Sequence, residues 1–362
     1  MGALALQIRG DLDVRVEAVA AGVSVFFFAG ALGAGVGGRF ADRIGAASAL
    51  RACMLVTAAC LLLAGAVAGS LPVLLALLAV AGVSNSVAQP ATNLFVAEEI
   101  PGDRQGIGFG IKQSGIPAAI VVSGLALPLL AIPLGWRPTF AICAVGPLAV
   151  ALVLRRRAVR GRVARPLAGR PSRALILTAV GAALGTAGPS ALGAYLVASA
   201  VDVGVAEGTA GVLAALGSAI SLAMRVSLGA RADRRRTYGL ETVVALMVAG
   251  SVGFALMGVH TIAPFVGGAL LAFALGWGWP GLFNLAVVAG HRETPGSATG
   301  VSQTGIYVGA AGGPAAFGAL SSGLGYGPAW LIVAALTLVA AAVMWLAVRA
   351  GRELAAATSA HS

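Results

Sequence analysis

Charge is scarce in this chain and lysine almost absent. Only 10% of the residues are charged against 59% hydrophobic, and the mean hydropathy is +0.94. A soluble globule of 362 residues could not cover its surface with so few polar side chains, so an integral membrane protein is expected. Cysteine is equally sparse: Cys53, Cys60 and Cys143 lie in apolar stretches without a CxxC spacing, which excludes a disulfide framework. The histidines His260, His291 and His361 are scattered, so no metal site is expected. No nucleophile, base and metal constellation appears, and neither an enzyme nor a cofactor is expected. The opening Met-Gly-Ala-Leu-Ala-Leu-Gln-Ile-Arg has no basic stretch ahead of its apolar residues, so it does not read as a signal peptide. The short alternating segments of a barrel are missing too. What is present instead is a series of apolar runs of about 20 residues, rich in Ala, Leu and Gly, and these point to helices.

The net charge of +11 raises the question of nucleic acid, but its placement argues against it. Eight arginines fall between Arg155 and Arg173, and most others occupy short connections between apolar runs. That is the positive-inside pattern, with the lipid bilayer as the expected partner and no nucleic acid. Arg39, Arg43, Arg51, Arg104, the 155–173 cluster, Arg231, Arg234 to Arg236, Arg292, Arg349 and Arg352 alternate onto one side. The central connection and the C-terminus are therefore expected in the cytoplasm of a cell whose inner (plasma) membrane holds the protein.

Apolar spans read as 18–38, 46–68, 71–97, 105–131, 136–154, 174–199, 208–228, 239–259, 262–289, 297–322 and 327–349, eleven in all. A polar turn is expected at Arg9 to Glu17. The chain also repeats itself. Asp202-Val-Gly-Val-Ala-Glu207 echoes Asp13-Val-Arg-Val-Glu17 with one residue inserted, Pro90 matches Pro280, and Asn93 matches Asn284. Gly110-Ile-Lys-Gln-Ser-Gly115 matches Gly300-Val-Ser-Gln-Thr-Gly305, 190 positions on. Two parallel halves are expected, at 1–154 and 174–350, joined by the basic loop 155–173 and followed by a tail at 351–362. Shifting the span 174–199 back by 191 positions gives about −17 to 8, so the first helix is expected to lack most of its length here.

The polar stretch Gly38-Arg-Phe-Ala-Asp42-Arg43-Ile-Gly45 returns as Gly229-Ala-Arg-Ala-Asp233-Arg234, each copy reading Gly-x-x-x-Asp-Arg beside an apolar span. Each is expected to form a tight loop at the bilayer surface, with the Gly permitting close helix approach and the Asp acting as a cap. This pattern resembles the motif between the second and third helices of the major facilitator superfamily, weakly repeated between helices eight and nine. The resemblance implies an all-helical membrane protein of two pseudo-symmetric six-helix halves. It implies a cavity lined by helices one, four, seven and ten, with access alternating as the halves rock. It also implies gating roles for Gly38, Asp42, Arg43, Gly229, Asp233 and Arg234, with the loop Asp holding the cytoplasm-closed state through the start of helix eleven.

Candidate substrate contacts follow from spacing. Asn85, Gln89 and Thr92 share one face of the fourth helix, and Trp277, Trp279, Pro280 and Asn284 mark the tenth. The other reading is that Asn85 and Gln89 are inter-helix glue, about 1 kcal/mol or less each. The same alternative holds for Trp279, and for Asn284 glue or gate is favoured because its counterpart Asn93 repeats it. Lys112, the only lysine, lies eight positions past Arg104, about 12 Å into its helix. A lysine at such depth costs roughly 3 kcal/mol unless it meets a cavity or a partner. Either it recognises an anion, beside Gln113 and opposite Gln303 and Tyr307, or it snorkels toward Glu98, Glu99 or Asp103. All thirteen acids fall in connections or at span ends, so no mid-membrane carboxylate is present to bind a cation. The reading is a secondary transporter of a small anionic or neutral organic solute, working as a monomer, inward rather than outward, with a proton as candidate coupling ion. Efflux of a hydrophobic compound, or a non-transporting sensor or inactive truncation, are the alternatives.

Overall fold

The structure, a computed structural model, describes residues 4–14, 16–155, 171–235 and 239–359, and these contain helices and no strand. Most of the basic cluster expected between the halves, at 156–170, lies outside the described residues. In chain order the helices are α1 (Ala5–Leu12), α2 (Val16–Ile44), α3 (Ala46–Val67), α4 (Leu71–Glu99), α5 (Gln105–Ala126) and α6 (Ile132–Leu134). They continue as α7 (Trp136–Cys143), α8 (Val145–Arg155), α9 (Arg173–Asp202), α10 (Glu207–Arg235) and α11 (Glu241–Met257). The last are α12 (Ile262–Leu271), α13 (Pro280–Gly290), α14 (Pro295–Leu324) and α15 (Tyr326–Ser359). Among the described residues, eight stretches are long and apolar enough to cross a membrane, and Glu241–Met257 is apolar but shorter.

Two expectations are corrected, and one span shows an internal break. The motif copies are not loops. α2 runs on through Gly38, Asp42 and Arg43 to Ile44, and α10 through Gly229, Asp233 and Arg234 to Arg235. What ends α2 is Gly45, whose φ of 83° is open to glycine at little steric cost, and α3 begins at the next residue. The span 262–289 is borne out as one membrane-length stretch, Ile262–Gly290, but its helix is interrupted. It passes from α12 into a π turn, Ala272–Gly276, and resumes only at Pro280, whose missing N–H cannot extend a helix from behind but is tolerated at its first position. The polar turn near Arg9 is shorter than read, because α1 carries on to Leu12 before Asp13 turns into the left-handed region at φ 49°.

The chain forms two compact units. The first comprises Met1–Glu99, Ala119–Ala168 and His291–Tyr307. Its apolar centre gathers Ile8, Leu74, Trp136 and Phe140 with Ala64, Ala68 and Ala131, and Trp136 and Phe140 meet edge to face at 5.8 Å. Asp11 closes this end by accepting hydrogen bonds from Trp136 Nε1 and the Arg137 guanidinium. The second unit comprises Ile100–Ala118, Gly169–Gly290 and Val308–Ser362. Its centre is aromatic: Trp330 stacks on Phe254 and packs 4.3 Å from Phe317. Gly309 and Gly313 bring α14 so close to α9 that a Cβ on either would overlap the carbonyl oxygens of Ala183 and Ala187. This is the packing expected where small residues replace a hydrophobic driving force.

Candidate functional site

In the first unit, α4 and the start of α14 place four of the expected residues together. Asn85 Nδ2 donates to the Tyr307 hydroxyl at 2.8 Å, and that hydroxyl donates to the Asn85 carbonyl at 3.1 Å. One turn away, Gln303 Nε2 donates to Gln89 Oε1 at 3.3 Å. The i, i+4 spacing on each helix makes the two pairs register, since Asn85 and Gln89 share a face, as do Gln303 and Tyr307. Phe27 lies against the Tyr307 ring with centroids 6.3 Å apart. Gln303 is 3% exposed, and its Oε1 makes no hydrogen bond to the protein, leaving one buried acceptor open.

The same unit holds the first motif copy. Gly38 lies against the backbone of Gly296 and Gly300, where a Cβ would overlap the Gly296 carbonyl. One turn on, Asp42 is fully buried and accepts from the amides of Gly296 at 2.9 Å and Ser297 at 2.6 Å, and from the Ser297 hydroxyl. These amides belong to the first turn of α14, which has no intrahelical acceptor for them. The carboxylate thus caps another helix, not its own. Arg43 points away and is exposed.

The second copy does the same in the second unit. Gly229 lies against Gly106, and Asp233 accepts from the amides of Gly106 at 2.6 Å and Ile107 at 2.8 Å, at the start of α5. Asp233 is half-buried and Arg234 exposed. Lys112 and Gln113 follow on α5, the lysine half-buried and the glutamine 3% exposed. The expected opposition of Lys112 to Gln303 and Tyr307 is not what engages those two, whose partners are Gln89 and Asn85.

Beside Lys112 the structure places a residue that the spacing arguments passed over. Arg225 of α10 is 1% exposed, and its guanidinium joins two helix defects. Nη1 donates to the carbonyl of Gln113, an acceptor left without its intrahelical donor because Pro117, four residues on, has no N–H. Nε and Nη2 donate at 3.2 and 3.0 Å to the carbonyl of Trp277, in the break before Pro280. The Trp277 ring lies 5.7 Å from the guanidinium carbon. The signal was available, since Arg225 is the lone charge in the apolar stretch 208–228. Trp279 is 1% exposed with its Nε1 making no hydrogen bond to the protein, and Asn284, fully buried, donates to the Pro280 carbonyl of its own helix at 3.0 Å. Among the described residues, no cluster of His, Cys, Asp and Glu could hold a metal ion.

Long apolar helices, a buried arginine among them and helix ends capped by a repeated Asp define a multi-pass membrane protein. A family model described as the Major Facilitator Superfamily matches residues 1–311, and the chain belongs to that family. No curated protein matches the sequence. Among solved structures, the fold is similar to "the MFS (major facilitator superfamily) proton:xylose symporter XylE bound to 6-bromo-6-deoxy-D-glucose". That match has a TM-score of 0.74 at 14% identity, covering 95% of this chain and 90% of that one. It is also similar to the human organic anion transporter MFSD10 (TETRAN), with a TM-score of 0.71 at 17% identity, covering 91% of this chain and 84% of that one. The protein is a transporter rather than an enzyme.

Proposed function

We propose that the protein is a secondary active transporter that carries a small anionic or neutral organic solute inward across the inner (plasma) membrane by alternating access. The observation that carries this reading is Arg225, 1% exposed in the middle of α10 and held by the carbonyls of Gln113 and Trp277, while no acid of the chain falls in the middle of an apolar span. Placing positive charge inside an apolar bundle is costly, and a transported anion offsets that cost when it binds. The two solved relatives carry, by their names, a sugar with a proton and an organic anion, which supports both the solute class and a proton as coupling ion.

On this reading the halves are 1–154 and 174–350, and α5, α11 and α14 cross with the eight long apolar stretches of the described residues. The two capping aspartates gate the cytoplasmic side. The central basic connection and the C-terminus are cytoplasmic, and the working unit is a monomer. A reporter fused after Arg162 is then expected in the cytoplasm and one near Asp202 in the periplasm, and finding both on one side overturns the arrangement.

One observation favours efflux of a hydrophobic compound instead. An open groove of about 510 Å³ on the surface of the first unit is lined almost wholly by apolar groups, including Phe40, Cys53, Val56, Val80 and Val83. Uptake by vesicles reconstituted with the purified protein separates the readings, using labelled carboxylates, sugars and cationic dyes. Accumulation of carboxylates or sugars is expected, and extrusion of dyes alone would reverse the assignment.

A further inference from the structure

Arg225 reaches two places where helices are already weak. Pro117 leaves the Gln113 carbonyl of α5 without its intrahelical donor, and Trp277 lies between the π turn Ala272–Gly276 and the start of α13 at Pro280. Helices bend at such points. One guanidinium holds both, donating once to the carbonyl of Gln113 and twice to that of Trp277. The helix crossing itself does not need an arginine. Gly110 brings α5 against the carbonyl of Arg225, and Gly300 brings α14 against the carbonyl of Ala34, which stands 191 positions before Arg225. In that copy the place of Pro117 is taken by Tyr307, 190 positions on, which has an N–H, and α4 runs unbroken through Pro90, the counterpart of Pro280. The arginine therefore accompanies the two helix defects and not the crossing. A buried full charge is also a costly way to satisfy two neutral oxygens, and no salt bridge to Arg225 is among those of the described residues.

We infer that Arg225 is a positioning residue that works as a latch in the transport cycle: it ties the bend of α5 to the break before α13, and gives up both carbonyls when an anionic group of the solute reaches it. The inference rests on the transport reading above and adds how a bound anion becomes movement. A guanidinium holds a carboxylate or phosphate through paired charged hydrogen bonds, which are stronger than its bonds to neutral carbonyls, so an anion displaces Gln113 and Trp277. Two of the five guanidinium N–H groups are unused, and the hydroxyl of Ser221, one turn back on α10, is buried without a hydrogen bond to the protein. These donors engage the anion before the carbonyls are released. Once they are, α5 and the stretch from α12 to α13 bend independently, and the balance between conformations shifts. Gly115, just before Pro117, has no atom within 4 Å of where its Cβ would be, so the bend has space on that side.

Hydrogen exchange of the purified protein tests this, with butyrate, succinate and glucose 6-phosphate as anions and glucose as the neutral control. At least one anion is expected to speed exchange about tenfold in residues 113–118 and 272–280 together, and glucose in neither. If no anion loosens both segments the inference fails, and this wild-type measurement stands whether or not the variants fold. Arg225→Gln is expected to exchange fast in both segments without an anion and to respond no further to one. Pro117→Ala restores the N–H that the Gln113 carbonyl lacks. Added to Arg225→Gln, it should slow exchange again in residues 113–118 and leave 272–280 fast. Alone, it is expected to lower the maximal uptake rate severalfold with KM nearly unchanged, because α5 no longer bends on release. An Arg225→Gln protein that still loosens with anion, or a Pro117→Ala protein with the wild-type uptake rate, would mark the arginine as a fixed staple and overturn the latch. In that case, uptake of any solute of the panel by the wild type would leave the transport reading intact. Failure of the wild type to move any of them would overturn both.

Discussion

Asp42 and Ser297 are joined through both the amide and the hydroxyl of the serine, with the carboxylate fully buried at the first turn of α14. Asp233 makes the matching contact at α5 but with backbone amides alone, and from a half-exposed position. Losing such a cap costs about 0.5 to 2 kcal/mol, which shifts a two-state balance roughly 2- to 30-fold. Asp42→Asn is therefore expected to slow uptake by moving the conformational balance, while solute affinity in the permissive state stays nearly unchanged. Asp233→Asn should do the same to a smaller extent. Uptake rates and equilibrium binding measured together check this, and equal affinity losses in both variants would assign these residues to solute binding.

The glycine one turn before each aspartate sets how near the capped helix can come. At Gly38 an added Cβ would meet the carbonyl of Gly296, a backbone atom that cannot rotate away. Gly38→Ala is expected to cost about 1 to 3 kcal/mol, as overpacking does. Gly35 on the same helix has nothing within 4 Å, so Gly35→Ala should be neutral or stabilising by about 0.5 to 1 kcal/mol. Thermal unfolding in detergent compares the two directly, and indistinguishable midpoints would remove the close approach as the reason for glycine.

Helix positions were legible from hydropathy because bilayer thickness dictates the length of an apolar run. The Gly-x-x-x-Asp-Arg copies were legible as paired, but not as helical, since an aspartate before an arginine reads as a cap at a loop when its acceptor role lies on a distant helix. The break at Trp277–Trp279 was only hinted at by Pro280, because a proline marks a possible break and not the partner that satisfies the freed carbonyl. That partner, Arg225, contacts residues 112 and 52 positions away, and no local periodicity encodes such a pairing. The polar pairs Asn85–Tyr307 and Gln89–Gln303 were half legible. The spacing put each helix's residues on one face, but only the fold brings those faces together.

Within that cluster the two pairs should behave differently. The Tyr307 hydroxyl is satisfied on both sides by Asn85, so Tyr307→Phe is expected to lower stability by about 0.5 to 1.5 kcal/mol with little change in solute binding. Gln303 keeps an open buried acceptor, which suits a hydroxyl of the solute. Gln303→Ala should weaken hydroxylated solutes by about 0.5 to 1.5 kcal/mol, roughly two- to tenfold, and spare those lacking a hydroxyl. Competition binding with matched hydroxylated and deoxy solutes reads this out, and equal losses for both would mark Gln303 as packing only.

Lys112 separates anion recognition from snorkelling. If its ammonium meets an anionic group, Lys112→Ala removes a charged hydrogen bond of about 1.5 to 3 kcal/mol, a roughly tenfold to hundredfold loss of affinity. The variant should still insert and fold, because replacing a lysine within an apolar bundle by alanine relieves a cost in lipid. Lys112→Arg keeps the charge but presents a planar fork where a compact ammonium stood, beside a guanidinium already anchored on Gln113, so only partial recovery is expected. Neutral solutes should be little affected by either change. A snorkelling lysine predicts the opposite pattern, with Ala, Met and Arg variants all transporting anions nearly normally. Vesicle uptake at matched protein levels distinguishes the two, and near-normal anion uptake by Lys112→Ala would leave Arg225 as the sole cation able to select for charge.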